Sequence, residues 1–229
     1  MSGVLVTGTD TGVGKTRVAC ALARALVAEG LSVGVMKPAE TGLAATAGDL
    51  APPGSDAAAL IAASGCDAPL SDVAPYRYAL PAAPSAAALV EGGPVSIDVV
   101  LAAFARLRAR HDVVIVEGAG GLLVPLVGRY TYADLAATLQ LPLVVVARTR
   151  VGTLNHTALT ERVALAHGAR VLGVVLNSPD GPPSDADRRN LAVLRDVVHA
   201  PLLGEVPYGG ELSDAERRRL VEAVRTGNT

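Results

Sequence analysis

The stretch GTDTGVGKT, residues 8–16, decides how this chain is read. It follows a short apolar run, GVLVTG at residues 3–8, and leads into a helical pattern from about Gly14 to Glu29 that ends at Gly30. A glycine-rich turn between a buried strand and a helix presents backbone N–H groups and the positive end of the helix dipole, so it is suited to cradle phosphate. In that reading Lys15 neutralises the outer phosphates and the Thr16 hydroxyl holds a magnesium ion. The spacing departs from the usual G-x4-G-K-[ST]. Gly8 stands six residues before Gly14, Thr9 occupies the position of the usual first glycine, and Gly12 supplies the missing flexibility.

Working outward, apolar strands alternate with helices. SVGVMK (32–37), DVVIVEGAGG (112–121), LPLVVVA (141–147), RVLGVVLN (170–177) and APLLGEVP (200–207) read as buried strands. Helices are expected from Ser55 to Ala63, from near Ser85, from Ser96 to Arg110, from near Thr153, over 184–199, and after a capping box formed by Ser213 and Glu216. Residues 38–54 and 75–84 read as loops. Unbroken apolar strands separated by helices imply a mainly parallel sheet covered on both faces. The expected fold class is a three-layer αβα, doubly wound P-loop NTPase-like domain spanning residues 1–229. Ligands on such sheets bind at the carboxyl ends of the strands, which gathers segments 8–16, 37–41, 117–121, 148–155 and 177–180 at one site.

Composition narrows the function. The 229 residues are 50% apolar with no Trp and one Phe, enough for a substantial aliphatic core. A net charge of −2 argues against a general nucleic-acid or anionic-membrane binder. Two cysteines, Cys20 and Cys66, make neither a disulfide framework nor a zinc motif and point to a reducing, cytoplasmic setting. There is no signal-peptide pattern, and no apolar run reaches the roughly 18 residues of a spanning helix.

The chain has 18 arginines and two lysines, Lys15 and Lys37. An ammonium is a compact point charge on a flexible stem, which a planar guanidinium does not imitate. Lys37 ends the second strand, beside the phosphate loop; it is either a ligand-facing cation, or a lysine that snorkels to solvent or forms a structural ion pair with Glu40. Glu117 ends the strand VVIVE and can reach a magnesium ion held by Thr16. Asp56, at a helix start, is a second metal candidate, with Asp49 as a rival in the same loop.

In order and spacing, GTDTGVGKT, KPAETG, VEGAGGLLVP, GTLNHTALT and PLLGEVPY closely resemble the dethiobiotin synthetase family, over about Val4 to Glu211. The resemblance implies an ATP- and Mg2+-dependent cyclo-ligase that carboxylates 7,8-diaminopelargonic acid with CO2 and closes a cyclic urea, through a carbamate and a carbamic–phosphoric anhydride. Carried over by motif, Lys37, Lys15 and Thr11 are catalytic, and Gly12, Val13, Gly14, Lys15, Thr16 and Arg17 hold phosphates. Thr16, Asp56 and Glu117 ligate the metal. Gly118, Ala119 and Gly120 approach the nucleotide, Asn177 reads adenine, and Pro207 and Glu211 make further nucleotide contacts. Thr41 and Ser85 contact substrate, and the helix start Gly152, Thr153, Leu154, Asn155 serves the substrate carboxylate of a partner subunit in a homodimer. Tyr130 and Tyr132 are candidates for that interface.

The main rival is a switch ATPase of the partitioning or division-site type, whose signature lysine position is here Asp10. An amide-forming ligase lacks a Cys–His glutaminase pattern to feed it, and a non-enzymatic nucleotide module leaves Lys37 unexplained. His156 is read as a helix-surface or packing residue, and His111, His167 and His199 as exposed element ends.

Overall fold

A computed structural model describes residues 3–44 and 48–227. In chain order the elements are β1 (Val4–Gly8), α1 (Lys15–Ala28), β2 (Val33–Met36), β3 (Ala39–Thr41), α2 (Asp56–Ser64), α3 (Leu70–Val73), β4 (Tyr76–Tyr78), α4 (Pro84–Glu91), α5 (Ile97–Arg110) and β5 (Val113–Gly121). They continue as β6 (Pro125–Val127), β7 (Tyr130–Thr131), α6 (Tyr132–Leu139), β8 (Leu143–Arg148), α7 (Thr153–Ala166), β9 (Val171–Asn177), α8 (Asp185–Ala192), α9 (Leu194–Val197), β10 (Leu202–Val206) and α10 (Asp214–Gly227).

Six strands form one parallel sheet in the order β10-β9-β8-β1-β5-β2. Side chains alternate between faces. Along β8, Val144 and Val146 enter the main core, to which α1 and α10 contribute. Val145 and Ala147 enter a second cluster with Leu194 and Val198, packed against Leu154 and Ala158 of α7. With helices on both faces, every central strand is buried on both sides, which is why these strands read as unbroken apolar runs. The architecture is the three-layer αβα P-loop fold. Among the described residues no helix is long and apolar enough to cross a membrane.

The structure departs from expectation where elements are short or held from a distance. The expected loops at 38–54 and 75–84 contain β3 and β4, which pair in parallel outside the main sheet. Three residues each are too few to register as periodicity. The helix expected over 184–199 is broken at Val193 into α8 and α9. Leu194 and Val198 anchor the second piece in the smaller core, and Glu161 of α7 accepts the backbone N–H groups of His199 and Ala200 just beyond it. Ser96 stands at the start of α5, but its side chain makes no capping bond; its N–H donates to Tyr76 Oη at 2.9 Å. Tyr132 is wholly buried and so cannot line a subunit interface. His111 and His167 are half-buried rather than exposed, each with Nδ1 paired to the carbonyl one turn back, of Leu107 and Val163. His199 is exposed, as expected.

Candidate active site

At the carboxyl ends of the sheet lies a cavity of about 500 Å3. The loop after β1 forms its floor. Gly12 and Gly14 both take the left-handed conformation, with φ of 70° and 96°, so the left-handed turns fall where the shifted glycine spacing allows them. Gly14 is the N-cap of α1, which aims the helix's first N–H groups back along the loop.

The other walls come from the segments that topology singled out. Thr11, Gly12, Gly14, Lys15 and Thr16 come from the loop and the start of α1; Lys37, Thr41 and Asp56 come from the stretch between β2 and the start of α2; Glu117, Ala119 and Gly120 come from the end of β5. Pro81 to Pro84 close the rim together with Val124. Ser85 follows as the second residue of α4 and is not among the lining residues. Asp49 is exposed, so Asp56 is the acid that the second-strand loop brings to the site.

The centre is a compact charge cluster. Lys37, 3% exposed, places Nζ 2.6 Å from Asp56 Oδ2 and 2.6 Å from Glu117 Oε1, and donates to the Gly118 carbonyl at 3.3 Å. Glu40 is therefore not its partner. Burial alone would lower the Lys37 pKa, but the carboxylates of Glu117 and Asp56 outweigh it and hold the ammonium above the ordinary lysine range. Burial raises the Glu117 carboxyl despite Lys37. Asp56, whose side chain keeps contact with solvent, is held below the usual carboxylate range, because Lys37 overcomes its partial desolvation. Lys15 donates to the Asp10 carbonyl at 3.1 Å; burial first, and then the Lys37 ammonium, pull its pKa down to about 8.

Thr16 completes the cluster. Its Oγ1 lies 2.8 Å from Asp56 Oδ1 and 2.8 Å from Glu117 Oε1. One hydroxyl has one proton and satisfies only one of these acceptors at a time. Glu117 Oε2, also buried, has no hydrogen-bond partner among the described residues. Two carboxylates and a hydroxyl converge here, and the one ammonium in direct contact, Lys37, balances only one of the two acids. Hard oxygens of this kind suit magnesium, which takes one or two carboxylates and completes its shell with water and phosphate. Among the described residues no group of three His, Cys, Asp or Glu side chains is arranged to hold a metal without such help.

Behind the loop, Asn177 Nδ2 donates to the Val13 carbonyl at 2.8 Å, and its Oδ1 is a buried acceptor with no partner among the described residues. Arg148, at the end of β8, donates from Nη2 to the Thr11 carbonyl at 2.9 Å and pairs with Asp180 at 3.3 Å. No motif marked Arg148; only its place at a strand's carboxyl end could have. Arg17 bonds to the Gly210 carbonyl, and Glu211 pairs with Arg217 at 3.3 Å, near Pro207, whose carbonyl accepts from Gly210 at 3.0 Å. Gly152 is the left-handed N-cap of α7; it, Thr153, Leu154 and the exposed Asn155 lie outside the cavity lining.

Residues 2–216 match the family model of an AAA domain. The chain is 48% identical over 225 residues to the ATP-dependent dethiobiotin synthetase BioD of Anaeromyxobacter dehalogenans (strain 2CP-C), covering 98% of this chain and 97% of that one. It is 37% identical to the enzyme of the same name from Bacillus subtilis (strain 168), over 98% and 94% of the two chains. The chain belongs to the ATP-dependent dethiobiotin synthetase family. Solved structures extend the fold more widely than the family. The MinC:MinD cell division protein complex of Aquifex aeolicus superposes with a TM-score of 0.56 at 13% identity, over 100% of this chain and 96% of that one. The cell division ATPase MinD of Pyrococcus furiosus does so with a TM-score of 0.50 at 20% identity, over 98% and 89%. These likenesses show the P-loop fold alone. In this member of the synthetase family the Asp10 carboxylate of the loop accepts the Thr11 N–H at 2.7 Å.

Proposed function

We propose that this chain makes dethiobiotin from 7,8-diaminopelargonic acid, CO2 and ATP, through a carbamate and a carbamic–phosphoric anhydride. Family membership makes it an ATP-dependent ligase of biotin synthesis; the presence of both Lys37 and Lys15 in the lining of one cavity is the observation that carries the finer reading. One substrate amine attacks CO2 and loses a proton, leaving a carbamate. A carbamate oxygen attacks the γ-phosphorus and ADP departs. The second amine attacks the carbamoyl carbon, phosphate leaves, and the urea ring closes. At each stage anions crowd together, and fixed cations in a water-poor pocket lower the barrier most.

Lys15 holds the outer phosphates, Lys37 faces the developing anhydride, and Thr11 lies between phosphate and carbamate. Backbone amides from Gly12 to Arg17 bind phosphate oxygens. Thr41 contacts substrate, with Pro84 and Ser85 near the rim. Thr16, Asp56 and Glu117 would hold Mg2+, which supplies a further positive centre when bound. Asn177 Oδ1, a buried acceptor, supports the adenine reading, since adenine N6 is a donor. Pro207 and Glu211 lie beyond β10 as further nucleotide contacts. The Gly152–Asn155 helix start serves a partner subunit's substrate carboxylate in a homodimer; a helix N-terminus with an exposed Asn155 is suited to an anion.

The test is ADP release by purified protein, omitting Mg2+, bicarbonate or diaminopelargonate in turn. Turnover that needs all three supports the reading; turnover independent of the diamine refutes it. Scattering should show a dimer, and an active strict monomer would remove the shared site.

A pH dependence follows from Lys15. With a ligand-free pKa of about 8, its ammonium is largely intact at pH 6.5 and largely neutral at pH 9.5. Bound phosphate favours the charged form, so proton uptake on nucleotide binding should rise between the two, with Lys15 contributing almost none at the lower pH and close to one at the higher. Calorimetry in buffers of different ionisation heat measures this; uptake that does not rise with pH would refute it.

A further inference from the structure

Glu40 is a buried acid to which the chemistry above gives no task. β3 carries it between Lys37 and Thr41, and it is 3% exposed. Its Oε1 accepts the backbone N–H of Asp56 and its Oε2 that of Ala57, at 3.3 Å. These are the first two residues of α2, and Ser55 Oγ takes the next N–H, from Ala58, at 3.1 Å. The start of the helix is thus satisfied by two side chains that divide the work. Ser55 closes the helix on itself, whereas Glu40 joins it to another strand. A carboxylate is the favoured charge at a helix N-terminus, and charge-assisted bonds are the stronger kind. The Asp56 side chain is 40% exposed and is held by Lys37 and Thr16 rather than by packing. Its backbone is held by Glu40.

We infer that Glu40 is a positioning residue that locks Asp56 in register with Lys37 and Thr41, so that the acid, the ammonium and the substrate-side hydroxyl move as one rigid unit. The inference rests on the reading of Asp56 as a metal ligand. Groups that orient metal ligands typically change metal affinity about 10- to 100-fold when removed.

The experiment titrates Mg2+ against binding of a fluorescent ADP to the full chain, alongside thermal melting. Glu40→Gln keeps the shape and one acceptor but turns an amide donor toward a backbone donor; the Mg2+ midpoint should rise about tenfold, with Mg2+-free ADP binding unchanged. Glu40→Asp, which withdraws the charge by one methylene, should shift the midpoint in the same direction. Ser55→Ala removes the other cap at the same helix end and should lower Tm without moving the midpoint. A Glu40 variant that lowers Tm and leaves the midpoint in place overturns the inference, as does an equal midpoint shift in Ser55→Ala. Wild-type ADP binding indifferent to Mg2+ and to Asp56→Asn would instead overturn the metal reading, and the inference with it.

Discussion

Lys37→Ala is expected to lower kcat by about a hundred- to a thousandfold, the scale of losing a preorganised stabilising group, while ADP still binds. The reason is geometric. Two 2.6 Å contacts hold the Lys37 ammonium between Asp56 and Glu117 and aim it into the cavity. Phosphate binding rests mainly on the loop and Lys15, so affinity should survive. The deletion also leaves two acids facing each other beside the buried Thr16 contact. Removing one partner of a buried ion cluster costs about 3–5 kcal/mol, so the variant should melt lower and be stabilised by Mg2+ more than the wild type is. Lys37→Arg conserves charge yet should fail nearly as badly, because a planar fork cannot enter a slot sized for a point charge. Steady-state ADP release with calorimetry of ADP binding checks both. Near-normal kcat in Lys37→Ala would end the clamp proposal, and full activity in Lys37→Arg would mean that charge alone suffices.

Gly14→Ala should weaken nucleotide binding by more than about a hundredfold, because two penalties coincide. At φ 96° a side chain is strained, at about 1–2 kcal/mol for a left-handed residue. A Cβ there would also stand 2.0 Å from Asn177 Nδ2, inside any allowed contact. Asn177 must move and release the Val13 carbonyl, leaving a buried acceptor unmet at about 1–3 kcal/mol. The loop and the end of β9 would both shift, so the defect reaches phosphate and base sides together. Fluorescent ADP titration and thermal melting measure the two parts; wild-type affinity in a stably folded variant would show that the loop tolerates the displacement.

The fold was legible wherever burial is two-sided. Each strand of the main sheet is an apolar run, and loop, helix and strand-end chemistry followed from topology. β3 and β4 were missed because they are three residues long and owe their form to each other. The break at Val193 escaped notice because no glycine or proline marks it; tertiary anchoring by Leu194 and Val198 does. In the site, Lys15, Thr16, Lys37, Asp56 and Glu117 could be picked out since charged residues at strand ends and helix starts are costly without a purpose. The choice between Glu40 and the site as partner of Lys37 stayed open, because side-chain direction at a strand end depends on where the next helix begins. Topology brought segment 148–155 to the site, but the contact Arg148 makes there was not legible, because its acceptor, the Thr11 carbonyl, lies 137 residues away in sequence.

Both side-chain amines of the chain open onto the same cavity. A general acylating reagent is thereby turned into a site-directed one, with no rival lysine on the outer surface to consume it. Lys15, the weaker base of the two, would be modified first near pH 8, and ADP would shield it. The ADP-protected fraction of the label at Lys15, read apart from any label on the α-amino group, would then report nucleotide-accessible sites without any measurement of turnover.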